Sequence, residues 1–346
     1  MPPPTSRFAD RRGPDPRHMR LRESALRLLL DDPRLDLDGL DWAELRRVAE
    51  RAGVIVRLAD AVAHRHETVP AGFAAGAARA CARTQCALAL VDRLSEACDR
   101  LGIAHAFLKT VERYPDSGPD IDLLLADPSR SVDRLILRDV PAAVRGQGFR
   151  NRLSGSRTYT AAFGIVIDLH HARLGQLGEQ ARYARIVLSR ARRVPLGATS
   201  CIAPSPEDHF LLIATQQVYT RPALRLADVY WAIGALRRHD ELNWDYVFAT
   251  ALSMGMLPAV GAYLGYLHQM HRQLFDQPLL PESLRARFPA DKQSRRDVQF
   301  PRAGVASRLY LDHVQASLEA GRWHSAARLF LLPIVAALRA EPRRSA

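Results

Sequence analysis

The stretch F-L-K-T-V-E-R-Y-P-D-S-G-P-D-I-D-L-L-L, residues 107–125, decides how the rest of the chain is read. Its end, Asp120-Ile121-Asp122-Leu123-Leu124-Leu125, is an apolar run interrupted by two aspartates at i and i+2. Such a run predicts a strand in a buried sheet. Side chains at i and i+2 leave the same face of a strand, so both carboxylates project one way and Ile121 and Leu123 the other. Two carboxylates on one face repel each other and resist burial, and a bound cation is the simplest remedy. Upstream, Ile103–Leu108 reads as another short strand. Lys109-Thr110 follows it, before one helical turn at Val111–Tyr114 and a turn-rich loop at Pro115–Pro119. A hydroxyl with backbone N–H groups at a helix start can receive an anion.

Further along, F-G-I-V-I-D-L-H, residues 163–170, supplies Asp168. Ile167 and Leu169 alternate with it, so Asp168 shares a face with Val166 and His170. If the two strands are neighbours, Asp120, Asp122 and Asp168 converge. Oxygen ligands select Mg²⁺ or Mn²⁺. Three carboxylates beside an anion-binding turn fit metal-assisted phosphoryl or nucleotidyl transfer. In that scheme Asp120 and Asp122 bridge two ions. Asp168 completes one metal site and accepts the proton of an acceptor hydroxyl. Lys109 and Thr110 are the candidate phosphate contacts, and all five residues have a plainer alternative: ion pairs with some of the 49 basic residues, a solvated lysine, an N-cap threonine.

The 346 residues, 47% hydrophobic, suffice for a large core in two or three domains. Residues 1–18 read as a disordered lead-in rich in Pro and Arg, without the apolar segment of a secretory signal. Residues 19–101 read as an N-terminal helical region: Met19–Leu30, a helix opened by Asp41-Trp42-Ala43-Glu44 in the manner of a capping box, Val54–His66, and a long Ala-rich helix from Pro70 to Asp99. Residues 102–202 read as a β-α-β-β core, with helical periodicity over Pro128–Val144, a strand pair joined at Gly164, a helix over Gln176–Arg193 and an extended Val194–Ile202. Residues 203–346 read as a C-terminal helical domain with helices at about 206–219, 223–238, 243–255, 258–275, 304–319 and 322–340, and a long loop at 277–303. The fold class is therefore α+β, a mixed sheet flanked by two helical regions.

The formal charge is +12, almost all from arginine; lysine occurs only at Lys109 and Lys292. The arginines are scattered, which makes nucleic acid a minor candidate partner beside phosphorylated ligands. Four cysteines without a C-x-x-C pair read as buried thiols in a reducing cytoplasm, not a zinc site. No apolar run is long enough to span a bilayer. His170, His209 and Asp208 read as packed structural groups, Asp228 as the ion partner of Arg225, and Trp42, Trp231, Trp244 and Trp323 as core or interhelix packing.

Leu108-Lys109-Thr110…Tyr114-Pro115…Asp120-Ile121-Asp122-Leu123-Leu124-Leu125 resembles the signature of an uncharacterised bacterial nucleotidyltransferase family, within the superfamily that includes DNA polymerase beta and the aminoglycoside nucleotidyltransferases. Ile167–His170 is similar to that family's third-carboxylate strand. Pro204–His209, Leu226–Trp231 and Leu242–Asp245 are similar to its downstream helices. The likeness spans roughly residues 20–275. It implies a nucleotidyltransferase-type sheet and a Mg²⁺-dependent transfer of a nucleoside monophosphate from an NTP, expected to be ATP, to a hydroxyl of a small-molecule or protein acceptor. Two positions depart from the pattern. Thr110 stands where the family carries Gly after Lys, adding β-branched bulk where glycine would permit positive φ. Gly118-Pro119 stands where an arginine often precedes D-I-D. These departures leave a second expectation, a catalytically degenerate binding module that acts with a partner protein.

Overall fold

The computed structural model describes residues 16–65, 68–116, 120–127, 129, 132–138, 140, 142–144, 154–175, 178–220, 225–288, 303–319 and 321–331. Most of the expected lead-in, Gly118-Pro119, Lys292, much of the expected 277–303 loop and the end of the last expected helix lie outside these residues.

Four helices come first: α1 (Pro16–Leu29), α2 (Trp42–Ala52), α3 (Ile55–Arg65) and α4 (Ala71–Arg100). Asp41 caps α2, its side chain accepting the Glu44 backbone N–H at 3.0 Å. Gly53, at φ 66°, closes the same helix in the left-handed conformation that favours glycine. At 30 residues, α4 is about 45 Å long. Its first half packs on α2 and α3. Its second half crosses one face of the sheet, where Leu88, Val91, Leu94 and Cys98 share a core with Ile121, Leu123, Ile167 and Leu169.

The sheet has five strands: β1 (His105–Leu108), β2 (Asp120–Leu125), β3 (Ala142–Val144), β4 (Ser156–Ala161) and β5 (Val166–His171), in the order β1-β2-β5-β4-β3. β2 and β5 are parallel neighbours; every other pair is antiparallel. A one-turn helix, α5 (Thr110–Arg113), lies between β1 and β2, and another, α6 (Asp133–Ile136), follows β2. The helix expected over Pro128–Val144 is therefore shortened to α6, and its end is strand β3. Helical spacing in that segment is outweighed by the open edge of β4, whose backbone groups pair with Ala142–Val144. The strand pair expected on either side of Gly164 is present as β4 and β5, joined by the turn Ala162–Gly164.

Helix α7 (Ala181–Arg190) is shorter than the expected Gln176–Arg193, because β6 (Arg192–Leu196) begins at once and pairs with β7 (Thr199–Ala203). The C-terminal helices are α8 (Pro206–Thr220), α9 (Leu226–Arg237), α10 (Trp244–Ser253), α11 (Leu257–Phe275), α12 (Glu282–Arg287), α13 (Ala303–Glu319) and α14 (Trp323–Phe330). The sequence reading had placed α12 inside a loop. Pro281 precedes its first residue, a position where proline costs no helical hydrogen bond.

One apolar cluster joins Leu26, Leu45 and Leu58 of the N-terminal helices to Phe210, Ile233 and Tyr263 of the C-terminal ones, and takes in Leu108 and Leu124 of the sheet. The helices at the two ends of the chain thus cover the same side of the sheet. Two packing expectations fail. Trp323 is 68% exposed. Of the cysteines, Cys98 and Cys201 are buried, with thiols pushed up to about 12 by burial, but Cys81 is exposed and Cys86 half-buried.

Candidate functional site

Strand register brings the three predicted carboxylates together. Asp122 and Asp168 are Cα partners across the parallel β2–β5 pair, and Asp120 is partnered by Val166. By alternation all three leave the sheet on the side away from α4. Their apolar neighbours Ile121, Ile167 and Leu169, all at most 2% exposed, face the α4 core.

The cation expected to relieve the paired aspartates is supplied by the chain itself. Lys109 Nζ lies 2.5 Å from Asp122 Oδ2, both side chains nearly buried. His170 Nε2 lies 3.2 Å from Asp122 Oδ1. Arg113 Nη1 donates to Asp120 Oδ1 at 3.2 Å. Thr158 Oγ1, on the neighbouring strand β4, donates to Asp168 Oδ1 at 2.5 Å. The expectation that Lys109 is a solvated strand-end lysine is thereby corrected: it is 7% exposed. His170 is not merely packed; it contacts an aspartate of the set. Arg113 provides a guanidinium from seven residues upstream of Asp120, although no arginine precedes D-I-D directly.

These contacts set the charge states. Burial alone would raise the Asp122 carboxyl; the Lys109 charge, the His170 hydrogen bond and Arg113 outweigh it and hold Asp122 well below the usual carboxylate range. Asp168 goes the other way. Burial raises it, the Thr158 hydrogen bond only partly offsets that, and the charges of Asp122 and Asp120 add to the rise.

The turn between β1 and β2 also differs from the expectation. Positive φ falls on Lys109 (φ 63°), while Thr110 is the first residue of α5. Threonine in place of glycine at position 110 therefore carries no left-handed strain. Thr110 is buried, and its hydroxyl makes a long 3.5 Å contact to the Leu108 carbonyl.

One pair was not visible in the sequence. Glu112 Oε1 lies 3.1 Å from His209 Nδ1 of α8, the imidazole fully enclosed and the carboxyl nearly so, and the two are not aligned as a hydrogen bond. Burial pushes Glu112 up to about 7 and His209 well below its ordinary value. The Trp231 ring stands edge-on to His209, 4.4 Å between centroids. The same turn is held from the N-terminal side, where Arg57 Nη2 donates to the carbonyls of Glu112 and Tyr114. Only the sequence motifs Pro204–His209 and Leu226–Trp231 pointed to this contact, and they do not say which residue they meet.

The other motif residues are structural. Asp208 accepts from the hydroxyls of Ser205, Tyr183 and Tyr246 and from Arg190 Nε, tying α7, α8 and α10 together. Asp228, expected as the ion partner of Arg225, accepts a hydrogen bond from Gln217 Nε2 of α8.

A family model described as an uncharacterised nucleotidyltransferase matches residues 38–272, well over half of the chain. The chain belongs to this nucleotidyltransferase family. The match covers α2 to the last turn of α11, and so includes the sheet, the three aspartates, Lys109 and the Glu112–His209 contact. No curated protein and no solved structure matches the chain. Membership makes the family's transferase chemistry and a nucleotide substrate the frame for the site. Among the described residues, no helix is long and apolar enough to cross a membrane.

The donor set of this nucleotidyltransferase-family site fits a hard divalent cation in type. It is all oxygen and carries an excess of negative charge on one face, although Asp122 Oδ2 is already met by Lys109 Nζ at 2.5 Å. Its present spacing is that of ion pairs: among the described residues no three His, Cys, Asp or Glu side chains converge on one point. Lys109 and Arg113 take the positions that a metal charge would otherwise fill.

Proposed function

We propose that the carboxylate face carries out nucleotidyl transfer, moving a nucleoside monophosphate from an NTP, with ATP the expected donor, to a hydroxyl of a small-molecule or protein acceptor. The observation that carries this reading is the register of Asp122 against Asp168, with Asp120 two residues before on the same face. Family membership supports it independently.

In this reading Asp120, Asp122 and Asp168 would hold Mg²⁺ or Mn²⁺, which would supply charge for the triphosphate and for the acceptor oxygen. The acceptor oxygen forms a bond to the α-phosphorus as the bond from that phosphorus to the bridging oxygen breaks, and pyrophosphate leaves. Asp168 takes the hydroxyl proton; its raised proton affinity suits the task. Lys109, released from Asp122, moves its ammonium to a phosphate. Thr110 contributes through the turn it starts rather than through its hydroxyl. Arg113 and the Glu112–His209 contact hold that turn against the helices.

The fact that Lys109 and Arg113 already neutralise two of the three aspartates favours a second reading, a binding module that has lost transfer and acts with a partner protein. Incubation with α-labelled and γ-labelled NTPs, Mg²⁺ and cell extract separates the two. Transfer gives a product labelled from the α position only, absent with Asp120→Asn/Asp122→Asn. Failure of any α-label to reach a product in the wild type, together with no Mg²⁺-dependent NTP binding, rejects the enzyme.

A further inference from the structure

A cavity of about 680 Å³ lies among α2, α3, α4 and the β4–β5 turn. Its floor is apolar, formed by Ile55 and Ala80, where Gly76 allows close helix packing: a Cβ there would sit 2.9 Å from Glu50 Oε1 and 3.4 Å from Ile55. Its rim carries three guanidinium groups, Arg51, Arg79 and Arg83. Among the described lining residues Glu50 is the one carboxylate, and it is already paired with Arg46 and Arg79. Among the described residues, Arg51 and Arg83 have no carboxylate partner; the Arg51 Nε donates to the Arg47 carbonyl.

Phe163 completes the lining. It is 76% exposed and sits at φ 57°, a conformation unfavourable for a bulky residue. The exposed ring thus stands beside Arg51 and Arg83, which have no carboxylate partner among the described residues.

The cavity lies at the end of the sheet where Asp120 begins β2. The Thr84 hydroxyl of α4 donates to the Pro115 carbonyl, and the Val56 N–H of α3 donates to Asp116, so both helices grip the segment leading to Asp120. Phe163 precedes Val166, the strand partner of Asp120, by three residues. Three residues span at most about 11 Å and adjacent strands lie about 5 Å apart, so Phe163 is within about 16 Å of Asp120 along the backbone.

We propose that this cavity binds a small organic anion, its carboxylate or phosphate between Arg51, Arg79 and Arg83 and its apolar body against Ile55, Ala80 and Phe163. Planar guanidinium groups favour both kinds of anion. On the transferase reading of the carboxylate face, on which this last step alone rests, that anion is the acceptor.

The probe is 1-naphthyl phosphate, titrated into the full chain without nucleotide and followed by its own fluorescence. Saturable binding is expected, weakened at least tenfold by Arg51→Ala/Arg83→Ala and also weakened by Phe163→Ser. All three positions are on the surface, and circular dichroism checks the fold. A charge-matched Arg238→Ala/Arg285→Ala variant should keep the wild-type affinity. No saturable binding, equal affinity in the Arg51/Arg83 variant, or an equal loss in the charge-matched control overturns the proposal. Because no NTP is present, these outcomes are separate from those of the label-transfer assay.

Discussion

The two faces of the β2–β5 strand pair differ in everything except their backbone. One face carries Ile121, Leu123, Ile167 and Leu169, sealed by the second half of α4. The other carries Asp120, Asp122, Asp168 and His170, set against the Lys109–Arg113 turn and the helices of both chain ends. A period of two puts both sets in one sequence, and a shift of one residue would exchange them. The apolar face fixes that register. The charged face depends on it, because three carboxylates meet only in the register the apolar face selects. Stability and chemistry should therefore separate by face when single residues are changed.

The largest effect is expected on the charged face. Asp168→Asn keeps the shape and takes no partner from Lys109 or Arg113. Transfer should fall about 10²–10⁴-fold, as for loss of a proton acceptor, while the urea midpoint stays near the wild-type value. A matching loss of stability would mean that Asp168 belongs to the scaffold. On the apolar face, Leu169→Ala should cost about 2–5 kcal/mol in denaturant unfolding, the price of a core cavity. Its transfer rate per folded molecule should stay within a few-fold, and a larger drop would show that the two faces are not separable.

The turn beside the charged face gives a subtler effect. Glu112 binds its proton more tightly in the folded state, up to about 7 against an ordinary 4.5. Between those values the native state holds more protons than the unfolded state, so its contribution to stability falls as pH rises and levels off above 7. Glu112→Gln removes this dependence. The stability of the variant relative to wild type should increase from pH 5 to pH 8; a flat difference would mean that the carboxyl titrates normally. The smallest effect is expected from Thr158→Val. It removes one hydrogen bond to the Asp168 carboxylate, worth about 1–3 kcal/mol, and raises that carboxyl further. The acidic limb of the transfer–pH profile should move to higher pH with little change in the plateau. An unmoved limb would place the proton acceptor elsewhere.

The face assignment was legible in the sequence because Asp120, Asp122, Asp168 and His170 alternate locally with Ile121, Leu123, Ile167 and Leu169. The pairing of Asp122 with Asp168 was legible only as a condition, since no local rule says which strands are neighbours. The ion pairs were hidden for a different reason. Lys109 reaches Asp122 because a left-handed residue turns the chain at the strand end, and nothing in K-T-V-E predicts that a lysine takes φ 63°. One signal was present. In a chain that otherwise uses arginine, Lys109 is one of two lysines, and an ammonium is a compact point charge on a flexible stem. Strand β3 was lost because Ala142–Val144 carries no period of its own and is recruited by the edge of β4. The Glu112–His209 contact joins residues 97 positions apart, which no spacing argument reaches.

On the proposed reading, the charged face holds a divalent cation with a nucleotide, and Lys109 and Arg113 stand in for that charge between turnovers. The direct measurement is electron paramagnetic resonance of Mn²⁺ titrated into wild type and into Asp168→Asn, each with and without a non-hydrolysable NTP analogue. The account predicts that the analogue creates a saturable Mn²⁺ site in the wild type and that Asp168→Asn weakens it at least tenfold. Equal Mn²⁺ binding by both proteins, or none by either with the analogue present, would contradict it.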